Sequence, residues 1–187
     1  MFSHANKGRT DLAETDEGYR LSMNLLSRGY LEDGEIENFP SACQKKNGIH
    51  PVIECTQNIP CNPCQDACKA GCIRVGNNIT ALPAVDEDAV CIGCGMCVAN
   101  CSGQAVFLVD ETYKEGYASI TLPYEFLPLP DKGARGTALD RSGKALCEAE
   151  VVQIRTARAM DHTNLLTMAV PVQYAGTARF IKFGEVQ

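Results

Sequence analysis

Residues 91–101 read Cys-Ile-Gly-Cys-Gly-Met-Cys-Val-Ala-Asn-Cys, a C-x2-C-x2-C-x3-C run. Nothing else in the chain restricts its fold as tightly. Three thiols on one tight loop can cap three irons of a single cube, while small intervening residues let backbone N–H groups face the sulfurs. Gly93 and Gly95 suit such a loop, since glycine accepts positive φ and close approach. A structural zinc site would use two separate C-x2-C pairs rather than one continuous run. The chain has 11 cysteines, nine of them within residues 51–110. Its opening stretch is polar and acidic, with no apolar core and no small-residue cleavage site, which predicts that it is not exported. A cytoplasmic, reducing setting disfavours disulfides, so metal ligation is the expected use of the thiols.

The run resembles the ligand run of bacterial-type dicluster (2[4Fe-4S]) ferredoxins, in which the fourth cysteine serves the other cluster. The resemblance extends around it. After Cys101 comes Ser-Gly-Gln-Ala105-Val106, where that family has Pro, two residues, Ala and an aliphatic, so Ser102 replaces the Pro. Cys68-Lys-Ala-Gly-Cys72-Ile73 matches the same landmark, with Lys69 at the Pro position and Cys72 at the Ala position. Residues 73–79 look like the family's hairpin, and Pro83-Ala-Val-Asp86 precedes the second run as it does there. Cys61, Cys64 and Cys68 then align with Cys94, Cys97 and Cys101, and Asn58 falls opposite Cys91. Reading Cys61, Cys64, Cys68 and Cys72 as one ligand set instead requires an inserted residue.

The resemblance implies two iron–sulfur clusters, most simply [4Fe-4S]. Cluster B takes Cys91, Cys94, Cys97 and Cys68. Cluster A takes Cys61, Cys64 and Cys101 with a fourth ligand that stays open among Cys55, Cys72, Asn58 and none, the last giving a [3Fe-4S] centre. Cys55 is preferred, with residues 56–60 looped out, because an amide oxygen is a poor match for a soft site. Cys72 is expected near cluster B as a spare thiol. Cys43, Cys147, His4, His50 and His162 are given no ligand role.

Charge and chain length then set the frame. The net charge of −6 argues against a nucleic-acid binder, and residues 51–110 carry −4 of it. That segment therefore offers an acidic surface that can steer basic partners. The longest apolar runs fall far short of the roughly 18 residues of a membrane span. Residues 1–50 read as an arm, with Leu21, Leu25 and Leu26 at helical spacing and Gly29 as the stop. Residues 111–187 read as short strands at 117–122, 137–140, 149–156, 165–171 and 179–183, with turns at 140–143 and 160–164. Val151, Ile154 and Ala157 do not alternate cleanly, which suggests a bulged strand or one buried on both faces. Asp140, Arg141, Lys144, Arg155 and Arg158 read as solvated strand faces. The expected fold is α+β: a ferredoxin-like dicluster domain at 51–110, a small all-β barrel or sandwich at 111–187, and a helical or extended arm at 1–50.

No G-x-G-x-x-G, no phosphate-binding loop and no nucleophile constellation is present in the sequence. The expectation is therefore a non-catalytic electron-transfer subunit of an oxidoreductase. It would relay electrons through two clusters between a flavoprotein subunit and an acceptor, with the flavin on the partner. More loosely, Ile59-Pro-Cys-Asn-Pro-Cys64 and Ala138-Leu-Asp-Arg-Ser-Gly-Lys144 resemble the small iron–sulfur subunits of FAD-dependent amino-acid or opine dehydrogenases of the proline or hydroxyproline type. A freely diffusing carrier with an added β domain, and a module whose clusters are structural or regulatory, are the alternatives.

Overall fold

The computed structural model describes residues 25, 27–36, 47–86, 88–160 and 162–184. The chain divides into two compact units, Met1–Leu31 and Glu32–Gln187. In the first, Leu25, Ser27 and Arg28 are helical. Gly29 ends the helix at φ +83, and its N–H reaches the Leu25 carbonyl at 2.7 Å, the left-handed stop that glycine favours. Leu21 and Leu26 lie outside the described residues, as do Cys43 and His4.

The second unit opens with one helical turn, α1 (Asp33–Ile36). There follow β1 (His50–Ile53), α2 (Pro63–Ala67), β2 (Ile73–Arg74), β3 (Ala84–Val85), α3 (Met96–Ala99), β4 (Val106–Lys114) and β5 (Tyr117–Tyr124). The chain ends in β6 (Arg135–Leu139), β7 (Ala145–Arg155), β8 (Asn164–Pro171) and β9 (Phe180–Lys182). Seven strands form one antiparallel sheet in the order β1-β4-β5-β8-β7-β6-β9, and β2 pairs with β3 alone. All five strands expected in residues 111–187 are present. The bulge expected near Val151 is a register shift between Val151 and Gln153 against β8. The turn at 140–143 is tied by Asp140, whose carboxylate accepts from the N–H groups of Ser142 and Lys144 at 2.8 and 2.9 Å.

The expected fold class needs correction. The molecule is mostly β, and the cysteine-bearing segment is not a ferredoxin-like α+β domain. Its helices α2 and α3 have only five and four residues. Its first strand β1 and the strand that leaves it, β4, are neighbours in the seven-stranded sheet, with Ile53 opposite Val106 and His50 opposite Val109. The physical reason lies in the run Val106-Phe-Leu-Val109, which is buried on both faces. Phe107 and Val109 join the core made with Ile120, Leu122, Val151, Leu166 and Met168. Val106 and Leu108 point the other way, into a second core with Ile53, Cys64, Cys97, Val98 and Leu165. The sheet is thus the floor of the cysteine region. Residues 51–110 pack their apolar side chains against it in a shared core, and each fully buried aliphatic side chain there is worth about 1.5–3 kcal/mol.

Candidate metal centre

The thiol-bearing segment is a local repeat built onto that floor. Cys61, Cys64, Cys68 and Ile73 recur 33 positions later as Cys94, Cys97, Cys101 and Val106. Each copy runs from a cysteine loop through a short helix, α2 or α3, to a strand, β2 or β4. Those strands pair in matching register, Ile73 with Val85 and Val106 with Ile53. The tight loop of the second copy depends on glycine. Gly93 and Gly95 have φ of +70 and +76. A Cβ on Gly95 would stand 2.5 Å from Leu165 Cδ1 and 2.8 Å from Arg155 Nη2. Both glycines expected from the sequence therefore have a geometric cause.

The eight candidate ligands fall into two groups. Cys97 is buried, and burial followed by the charges of Cys68, Cys91 and Cys94 pushes its thiol up to about 12. Cys91 is also raised, by burial first and then by Cys68 and Cys94, against a hydrogen bond from the Gly93 N–H. Cys68, Cys91, Cys94 and Cys97 thus form one electrostatically coupled set. In the other, burial and then Cys101, Cys55 and Cys61 push the Cys64 thiol up to about 11, although the Gln65 N–H works against them. Burial raises Cys55 too, together with Cys101 and Cys61, and the Gln57 N–H opposes that rise. The structure therefore brings Cys55 together with Cys61, Cys64 and Cys101. Cys68 and Cys101 each cross to the set built by the other half of the repeat.

Backbone donors reach the sulfurs in parallel ways. The Cys72 N–H donates to Cys68 Sγ at 3.2 Å, and 33 residues on the Ala105 N–H donates to Cys101 Sγ at 3.4 Å. The Gly93 N–H reaches Cys91 Sγ at 3.5 Å. Cys72 itself is buried, with its thiol 4.0 Å from the Ala70 carbonyl and hydrogen-bonded to Cys91, so it lies beside the Cys68 set. The Asn58 side-chain amide donates to the Thr80 carbonyl at 3.2 Å. Cys147 stands on β7 opposite Ala138, and only burial raises its thiol. His50 is buried with Nδ1 3.1 Å from the Gly48 carbonyl, and His162 is exposed.

Among the described residues, no three His, Cys, Asp or Glu side chains converge closely enough to hold a single metal ion. An iron–sulfur cluster takes its thiolates on separate irons, whereas mononuclear zinc takes all of its ligands on one ion. Two observations fit an anionic cluster. Thiols held at high pKa by burial and mutual repulsion ionise when a metal takes them. Beside the Cys91–Cys97 loop, Arg155 also has a buried Nε with no hydrogen-bond partner.

Two of the cations read as solvated strand faces are instead held by distant parts of the chain. Arg155 Nη1 donates to the Gly93 and Cys94 carbonyls at 3.2 and 2.9 Å. The side chain of Arg141 is only 6% exposed and pairs with Glu54. Neither role has a local sequence signal, because each partner lies 61 or more residues away.

Over 73 residues the chain is 34% identical to an uncharacterized ferredoxin of Methanocaldococcus jannaschii, a stretch covering 39% of this chain and 41% of that one. The chain therefore spans less than half the length of that relative. No family model matches the chain, and no solved structure matches it.

Proposed function

We propose that the chain is an iron–sulfur electron carrier that holds two clusters, most simply both [4Fe-4S]. Cys61, Cys64, Cys101 and Cys55 would hold cluster A, and Cys91, Cys94, Cys97 and Cys68 cluster B. The observation that carries this reading is the gathering of eight thiols into two sets of four, each completed by a cysteine from the other half of the repeat. The relative's name, ferredoxin, points the same way. Bound clusters supply reversible one-electron storage within the potential range open to such centres. The chain's own residues supply thiolates, backbone N–H groups aimed at sulfur, and a wall of Ile53, Val98, Val106 and Leu165 that keeps water from one side.

The finer reading is a relay subunit working with a flavoprotein that oxidises or reduces a small molecule, in the manner of the amino-acid or opine dehydrogenase complexes, in the cytoplasm. Among the described residues no helix is long and apolar enough to cross a membrane. Repeat-equivalent Ile59 and Ile92 stand 49% and 70% exposed, each two residues before a candidate ligand, Cys61 or Cys94. Apolar side chains presented beside redox centres suit contact with another protein. The relative's name also favours a second reading, a freely diffusing carrier with an added sheet.

Anaerobic reconstitution with iron and sulfide tests the coarse reading. Two reducible clusters per chain are expected by EPR, and a chain that takes up no iron and sulfide refutes it. Purification from native cells with flavin analysis separates the finer readings. Stoichiometric flavoprotein supports the subunit, and a redox-active monomer supports the diffusing carrier.

A further inference from the structure

We propose that Arg155 is a built-in counter-charge for the centre on Cys68, Cys91, Cys94 and Cys97, and that it raises the reduction potential of that centre. The inference rests on the iron–sulfur reading above. Arg155 is the last residue of β7 and pairs in register with Leu165 of β8. Its guanidinium holds the Gly93 and Cys94 carbonyls from 61 residues or more along the chain. Its Nη2 occupies space that the absence of a side chain at Gly95 leaves open. The loop and the strand pair are thus shaped to bring this one cation against the cysteine run.

Electrostatics then assigns the role. Arginine keeps its charge at every relevant pH. A buried N–H without a partner carries its full desolvation cost, more on a charged group, and Nε of Arg155 is such a group. Neutral thiols offset neither the charge nor the unmade bond. A cluster with four thiolates is anionic and offers sulfur acceptors, so it relieves both. A cation in a poorly screened setting favours the more negative, reduced form of a neighbouring centre, which raises its potential.

Beside the other set, Arg141 and Arg179 share the carboxylate of Glu54, the residue before Cys55. Their charges are the same in every Arg155 variant, so the midpoint of that centre serves as the internal reference.

The test is an EPR-monitored redox titration of the reconstituted full chain. Arg155→Gln keeps N–H donors and removes the charge. It is expected to lower one of the two midpoints and leave the other in place, with iron and sulfide content unchanged. Arg155→Lys keeps a charge and is expected to hold both midpoints near their original values. Two unmoved midpoints in a fully loaded Arg155→Gln chain, or an equal fall in both, overturns the proposal. So does loss of one cluster from both variants, which would make Arg155 a scaffold for the loop. An unsubstituted chain that assembles no cluster overturns the iron–sulfur reading itself.

Discussion

Nε of Arg179 donates to the Glu54 carboxylate at 2.5 Å, although the two residues stand 125 positions apart. Arg141 takes the same carboxylate from its other side, at 2.8 and 2.6 Å, in the bidentate geometry that makes such pairs strong. The arginine side chains are 6% exposed and the glutamate 9%. Arg179 further donates to the carbonyls of Ala175, Gly176 and Ala178 and lies over the Phe107 ring at 5.2 Å. Glu54 follows β1, and Arg179 precedes β9. The two edge strands of the sheet are therefore pinned to each other immediately before Cys55.

Replacing Glu54 with Gln leaves two buried guanidinium groups with no counter-charge. Breaking a buried pair from one side costs on the order of 3–5 kcal/mol. Glu54→Gln should therefore lower the urea midpoint by that equivalent. Because Cys55 is the next residue, the Cys61, Cys64, Cys101 and Cys55 set should lose iron before the other set does. A variant that unfolds at the original urea concentration would show that the pin carries no net stability.

Glu54 also predicts an acid limb. Burial by itself would raise its pKa, but the Arg141 hydrogen bond and the charges of Arg179 and Arg141 outweigh burial and hold the carboxyl below its ordinary 4.5. The folded value is depressed, so the stabilisation is present above the ordinary value and disappears as pH falls through the lowered one. Thermal melts should be nearly flat from neutral pH down to about 5 and fall steeply below about 4. In Glu54→Gln that acid slope should be shallower. An identical slope in both proteins would assign the acid transition to other carboxylates.

What the sequence discloses about this fold follows from the range of each interaction. The run at 91–101 and the turn at Asp140 are encoded within a dozen residues, and both are legible. The strands of residues 117–183 announce themselves as short runs bounded by turn residues. Strands β1 and β4 do not, because Val106, Phe107, Leu108 and Val109 are all buried and a run apolar on both faces has no period. Their place in the sheet comes from pairing His50–Ile53 with Val106–Val109 across more than 50 residues. Arg141 and Arg179 meet at Glu54, and Arg155 meets the Gly93 and Cys94 carbonyls, across equally long stretches of chain. Alignment by the 33-residue repeat puts Asn58 opposite Cys91, whereas the chain delivers Cys55 to the other thiols from a loop three residues longer.

That longer loop makes Cys55 and Cys72 separable by experiment. Cys55 receives the Gln57 N–H as Cys91 receives the Gly93 N–H, and it shares its surroundings with Cys61 and Cys101. Cys72 is deeper, 1% exposed, and lies beside the Cys68 set without completing it. Cys55→Ala should lower bound iron by up to about half and change the EPR of one centre. Cys72→Ala should keep full iron. Full iron and unaltered spectra in Cys55→Ala would remove Cys55 as a ligand, and iron loss confined to Cys72→Ala would put Cys72 in its place.

Gly95 offers the sharpest steric test of how the sheet and the cysteine loop fit together. Its φ of +76 is one that a side chain adopts only at a cost of about 1–2 kcal/mol. The methyl group of alanine would also meet Leu165 Cδ1 at 2.5 Å and Arg155 Nη2 at 2.8 Å. Overpacking of that kind adds about 1–3 kcal/mol. Gly95→Ala should therefore destabilise the chain by roughly the sum of these two costs and push Arg155 off the Gly93 and Cys94 carbonyls. Iron should leave the Cys91, Cys94, Cys97 and Cys68 set while the other set stays loaded. Gly116→Ala is a fair control, since its φ is +75 but nothing lies within 4 Å of an added Cβ. It should show only the backbone cost and retain all its iron. Equal destabilisation of the two variants, with iron intact in both, would mean that Arg155 and Leu165 yield freely and that the close approach at Gly95 does not constrain the loop.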